Sequence, residues 1–201
     1  MKKRFLNKIK FLIKEQYPKY SDDKIDEIMY GIEGLYLTIE KAIVIFILAI
    51  LLGIFKELLL LLLAFNFIRL FAFGMHADKS WICLLFSSSI FIGGTYACKY
   101  INIDGYLLYL LYAIALIIIS IYAPADTVKR PLIKKKKRIR FKILSIFVVL
   151  IYFILTLLIK NTLITNCLII GLLIECILIS PITYKLFKMP YKNYKTYGLN
   201  T

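Results

Sequence analysis

The stretch at residues 129–142, KRPLIKKKKRIRFK, carries nine basic side chains and no acid, and it stands between two apolar runs at residues 106–122 and 143–159. With their flanks, both runs approach the length of about 20 residues that a helix needs to cross hydrocarbon. A helix is the form in which a single segment satisfies its own backbone polar groups there. Lys and Arg between two spans are retained on the cytoplasmic side. The stretch therefore reads as a cytoplasmic loop joining two transmembrane helices.

Working outward, the sequence offers four more apolar runs, at residues 42–55, 58–73, 82–98 and 163–180. Several fall short of a full span, so flanking residues must contribute or the bilayer must thin. The Lys56-Glu57 pair falls between the first two runs. Were residues 42–68 one helix, each of those charges would cost on the order of 2.5–3.5 kcal/mol in mid-membrane before any mutual pairing. Parity also favours a break. The basic N-terminus and the 129–142 loop can share the cytoplasmic side only if an even number of spans separates them, and a break at Lys56-Glu57 gives four. The last two runs return the chain to the cytoplasm, where Lys185, Lys188, Lys192 and Lys195 follow. The expectation is an all-α polytopic membrane protein with six transmembrane helices and both termini inside.

Composition agrees. A chain of 201 residues that is 61% hydrophobic, with mean hydropathy +0.78, has more apolar surface than a soluble globule of this size can hide. A net charge of +15 would point a soluble protein toward nucleic acid. Here the cations cluster between apolar runs, which excludes that partner and matches the positive-inside rule and anionic lipid headgroups. Cys83, Cys98, Cys167 and Cys176 include no CxxC pair, so neither a disulfide framework nor a metal site is expected, and no cofactor is called for.

Ahead of the spans, Phe5, Leu6, Ile9, Leu12 and Ile13 recur at helical spacing among lysines, as in a basic amphipathic helix on a membrane surface. No small-residue cleavage site follows, so a cleaved signal peptide is not expected. Tyr17-Pro18 should end this helix, and Ser21-Asp22-Asp23 should cap a second one whose apolar face is Ile25, Ile28, Met29, Ile32, Tyr36 and Ile39. Three regions follow: amphipathic cytoplasm-side helices at 1–41, a six-span membrane domain at 42–184, and a basic cytoplasmic tail at 185–201.

The only histidine, His76, precedes Cys83 by seven residues, between the second and third spans and so at the cytoplasmic face. A thiol needs a base to become a thiolate nucleophile. On one continuous helix the two residues would stand about 10.5 Å apart along the axis. A hydrogen bond between nucleophile and base needs about 2.6–3.2 Å, a little more to sulfur, so a dyad requires a bend. Gly74 and Asp78-Lys79-Ser80 supply one, leaving Cys83 in the first turn of span three, where the helix dipole lowers its pKa. A buried cysteine beside an interfacial histidine is the alternative.

The stretch RLFAFGMHADKSWIC at 69–83 resembles the central motif of the AgrB family, the accessory gene regulator B peptidases of Gram-positive quorum sensing. The block Ala123-Pro124-Ala125-Asp126-Thr127, with Arg130-Pro131 after it, is also similar to that family's pattern. The resemblance implies a membrane-embedded cysteine endopeptidase that cuts the C-terminal part from an AgrD-type propeptide and promotes closure of a thiolactone or lactone. It implies Cys83 as nucleophile, His76 as base, and a homodimer.

Other residues keep two readings. Arg69 is either a snorkelling anchor or a cation for a peptide carboxylate or an oxyanion. Asp126 either orients His76 or shapes the turn after span four. Asp78 is not assigned as a third catalytic group. Glu175, alone in span six, either serves function or is a hydrogen-bonded structural acid. Lys134, Lys135, Lys136, Lys137 and Arg138 either set topology or face an acidic propeptide or lipid. Two other functions compete: a small peptide-export subunit using Glu175 and Arg69, and a non-catalytic membrane anchor.

Overall fold

The structure is a computed structural model, and it describes residues 2–18, 20–74, 80–103, 105–127 and 132–197. Within these, regular structure is helical: α1 (Lys2–Gln16), α2 (Asp22–Leu51), α3 (Phe55–Ala72), α4 (Ser80–Tyr100), α5 (Gly105–Tyr122), α6 (Lys135–Leu158), α7 (Thr162–Ile179), α8 (Pro181–Leu186) and α9 (Tyr194–Tyr197). Four of them are long and apolar enough to cross a membrane: α2 over Lys24–Leu51, α5, α6 and α7. α3 and α4 occupy the second and third apolar runs. α3 dilutes its run with Lys56, Glu57 and Arg69.

The chain divides into two compact units, Met1–Ile47 and Leu48–Thr201. In the first, α1 runs antiparallel to the start of α2. Lys14 Nζ pairs with Asp22 and Lys10 Nζ with Asp26, both at 2.6 Å, and the Phe5 and Tyr36 rings meet at 5.5 Å. The Ser21 hydroxyl accepts from Lys24 N at 3.3 Å, capping α2.

Two boundaries differ from the sequence expectation. α2 continues unbroken through residues 41–42, where an amphipathic helix was expected to give way to a span. Once nucleated, a helix propagates through residues that neither break nor cap it, and a change from amphipathic to apolar character does not stop it. The next break falls at residues 52–54 and not at Lys56-Glu57. Gly53 N donates to Ile50 O and Ile54 N to Ala49 O, with Gly53 at φ +66°, which is a Schellman termination. A left-handed glycine ends a helix, whereas a charged pair does not. Lys56 and Glu57 instead open α3, where Glu57 complements the helix dipole and binds Lys99 Nζ at 3.0 Å.

In the second unit α7 is the central helix, packed against α3, α4, α5 and α6. It is hydrophobic around its circumference, as a helix buried on all sides must be. Several polar groups in this interior tie helices together. Tyr152 donates to Ala64 O at 2.6 Å, joining α6 to α3, and Tyr112 shares a 2.8 Å hydrogen bond with Thr156. Asn166 Nδ2 donates to Cys98 O and Ile101 O at 3.0 and 2.6 Å, satisfying carbonyls that the end of α4 leaves open. Asn166→Leu strands those acceptors at a cost of about 1–3 kcal/mol, and the thermal unfolding midpoint in detergent should fall by several degrees.

Candidate functional site

The last turn of α3 carries Arg69, and its guanidinium reaches inward. Nη1 donates to Glu175 Oε2 of α7 at 3.0 Å, while the guanidinium carbon lies 5.3 Å from the centre of the Phe65 ring. Glu175 is 0% exposed and the Arg69 side chain 16%. Arg69 is therefore part of a buried ion pair and is not a snorkelling anchor. Glu175 Oε1 has no hydrogen-bond donor among the described residues.

Beyond Ala72 the backbone leaves the helix through two residues with left-handed torsions, Phe73 at φ +63° and Gly74 at φ +111°. For phenylalanine this conformation costs about 1–3 kcal/mol and persists only where its surroundings hold it. They do so here. Ala125 N donates to Ala72 O at 2.9 Å and Gly74 N donates to Ala125 O at 3.0 Å, forming a parallel bridge between Phe73 and Ala125. A Cβ on Gly74 would stand 2.8 Å from Arg69 Nη1 and 3.4 Å from Glu175 Oε1 and would displace the guanidinium, and the torsion calls for glycine.

The 123–127 block thus lies alongside the end of α3, and Asp126 extends the connection to the C-terminal segment. Its carboxylate accepts from Asn193 N at 3.0 Å and Tyr194 N at 2.8 Å, and its carbonyl accepts from the Tyr184 hydroxyl at 2.9 Å. With both carboxylate oxygens bound to backbone amides and 4% exposure, Asp126 holds a turn. Burial pushes the Tyr184 phenol up from its ordinary pKa, with the Asp126 charge adding to the shift, so it serves as a donor. Sequence reasoning missed Tyr184, Asn193 and Tyr194, which it left in or beside a basic tail. Tyr and Asn among these lysines were the available sign.

Of the proposed dyad, Cys83 stands in the first turn of α4 by its backbone, its side chain lying outside what is described. His76 and Asp78 fall outside the described residues. Lys134 is the N-cap of α6, and Lys135, Lys136, Lys137 and Arg138 form its first turn. Phe141, one turn after Lys137, meets the Phe73 ring edge-on at 4.8 Å, so this face of α6 abuts the end of α3. Cys98, Cys167 and Cys176 are free and buried, with Cys176 Sγ directed at Ala115 O. Among the described residues no group of three or more His, Cys, Asp or Glu side chains could hold a metal ion.

Arg69→Met should cost about 3–5 kcal/mol by leaving the Glu175 carboxylate buried and uncompensated. Arg69→Met/Glu175→Leu should recover most of that loss. The check is thermal unfolding of the purified variants in detergent, and a double variant no more stable than the single would show that the pair is uncoupled.

The family profile described as Accessory gene regulator B matches residues 6–179. An AgrB-like protein of Clostridium acetobutylicum is 31% identical over 164 residues, covering 82% of this chain and 78% of its own length. An AgrB-like protein of Listeria innocua is 28% identical over 186 residues, covering 92% and 91%. Accessory gene regulator protein B of Staphylococcus epidermidis is 36% identical over 141 residues, covering 67% and 72%. No solved structure matches the chain. On a match running from α1 to the end of α7, the chain belongs to the AgrB family, Accessory gene regulator B.

Proposed function

We propose that this protein is a membrane-embedded cysteine endopeptidase that cleaves the C-terminal part of an AgrD-type propeptide and promotes its cyclisation for quorum sensing. One observation carries the reading: the two sequence blocks that resemble the family's motifs are hydrogen-bonded to each other at Ala72, Gly74 and Ala125. That junction lies at the start of the connection bearing His76, and Cys83 opens the helix that follows it.

In the proposed chemistry His76 takes the proton of the Cys83 thiol, and Sγ attacks the scissile carbonyl. The departing amine receives that proton, leaving a thioester between Cys83 and the new carboxyl end. A Cys or Ser side chain within the peptide, its proton taken by His76, then attacks the thioester carbonyl and Cys83 leaves as thiolate. The product is a thiolactone or lactone. Thioester exchange is nearly thermoneutral, so the capturing group needs only high effective concentration and limited competition from water. The dipole at the start of α4 favours the thiolate.

Arg69, Glu175 and Gly74 support the site by holding the exit of α3 in its left-handed form. Lys134 and Lys137 of the basic segment supply counter-charge to an acidic propeptide tail, on the side of α6 that faces Phe73. The proposed setting is six spans with both termini cytoplasmic, the active site near that face, in a homodimer. The export reading needs Arg69 and Glu175 to line a pathway, and it is disfavoured by their direct pairing inside packed helices.

Co-expression with an AgrD-type propeptide, followed by mass measurement, tests the proposal. The expected results are a shortened cyclic peptide and an acyl adduct on Cys83. His76→Ala should slow cleavage by about 10²–10⁴-fold. Cys83→Ala should abolish it, and continued release of cyclised peptide by that variant would overturn the peptidase assignment.

A further inference from the structure

A cavity of about 340 Å³ opens where α5 ends and α6 begins, within the range of about 300–1,000 Å³ found for ligand sites. Lys135, Arg138 and Lys142 line it from α6, at i, i+3 and i+7 on one helical face, and Lys192 lines it from the C-terminal segment. Tyr122 and Tyr191 complete the polar wall. Asp126 also lines it, but its carboxylate is held by the backbone amides of Asn193 and Tyr194. Arg138 is fixed in place: it donates to Leu132 O and Ile133 O at 2.8 and 2.7 Å and lies 4.0 Å from the centre of the Tyr194 ring. The cavity therefore presents four cations against one carboxylate already bound elsewhere, and it calls for an anion.

Its rim indicates what kind. Ile121 and Ile139 line the cavity, and each begins an exposed apolar stripe running away from it. Ile114, Ile117 and Ile121 share a face of α5, while Ile139, Ile143 and Leu150 share a face of α6, and all six are exposed. A free phosphate or an acidic peptide makes no use of paired isoleucine stripes attached to a cationic cavity. A molecule with a phosphate head and two hydrocarbon chains uses both. We propose that this cavity binds the headgroup of an anionic diacyl phospholipid, with the phosphate among Lys135, Arg138, Lys142 and Lys192 and the acyl chains along α5 and α6. The site lies on a different face of α6 from the one that meets Phe73, and it stands or falls independently of the chemistry at Cys83.

Native mass spectrometry of the full chain in detergent tests this. Dioleoyl phosphatidylglycerol should be retained about tenfold or more over dioleoyl phosphatidylcholine, and Lys135→Gln/Lys142→Gln should lose that preference. Lys136→Gln/Arg140→Gln removes the same charge from another face of α6 and should retain it. Lys192→Gln, on the opposite wall, should weaken retention by itself. Equal retention of the two lipids, or equal loss in both double variants, would reduce the site to unspecific attraction and overturn the proposal. Displacement of phosphatidylglycerol by inorganic phosphate would make it a small-anion site, and displacement by hexaglutamate an acidic-peptide site. Either result also overturns it.

Discussion

A glutamate with no exposure, one turn from the end of a helix packed on every side, must bring its counter-charge with it. For Glu175 that counter-charge is Arg69, and much of the second unit's arrangement is linked to their 3.0 Å contact. The pair sets the register of α3 against α7, because breaking it leaves a charge in a medium of low dielectric constant. It also occupies the space where residue 74 would carry a side chain. A side chain there would push the guanidinium aside, the torsion of residue 74 favours glycine, and Phe73 before it accepts a strained conformation. Both residues are held by the bridge to Ala125, whose neighbour Asp126 gathers Tyr184, Asn193 and Tyr194.

The same economy governs the other polar groups of this interior. Hydrocarbon offers no water to satisfy a stranded donor, and several of these groups work as struts between helices. Tyr152 bridges α6 to α3, Tyr112 and Thr156 bridge α5 to α6, and Asn166 closes the end of α4 from α7. Glu57 and Lys99, charges at the edges of apolar runs, meet each other at 3.0 Å where α3 starts and α4 ends. These links give the 69–74 and 123–127 segments a rigid frame.

Helix α6 shows how one basic stretch can hold several roles. Its first two turns point Lys137 and Phe141 toward the end of α3, Lys135, Arg138 and Lys142 toward the cavity, and Lys136 and Arg140 in a third direction. Read as a string, residues 129–142 are a single block of charge. Wound at 3.6 residues per turn from Lys135 onward, its charges are divided among separate faces of the helix.

Much was legible in the sequence because membrane insertion is a local rule: apolar length, charge between runs, and capping residues mark helices without reference to the rest of the chain. The helical class and the two amphipathic helices ahead of the apolar runs could be read this way, whereas the kinship of residues 69–83 and 123–127 came from their resemblance to a family pattern. The exact breaks could not, because an apolar run does not say where its helix ends. Gly53 ends α2 through its left-handed torsion, whereas the charges at Lys56-Glu57 merely begin α3. Nor could the partner of Glu175, 106 residues from Arg69, or the use of Asp126 to fasten the C-terminal segment. Those pairings depend on which helix faces meet, and that is decided when the helices pack together and buried polar groups take partners from other elements.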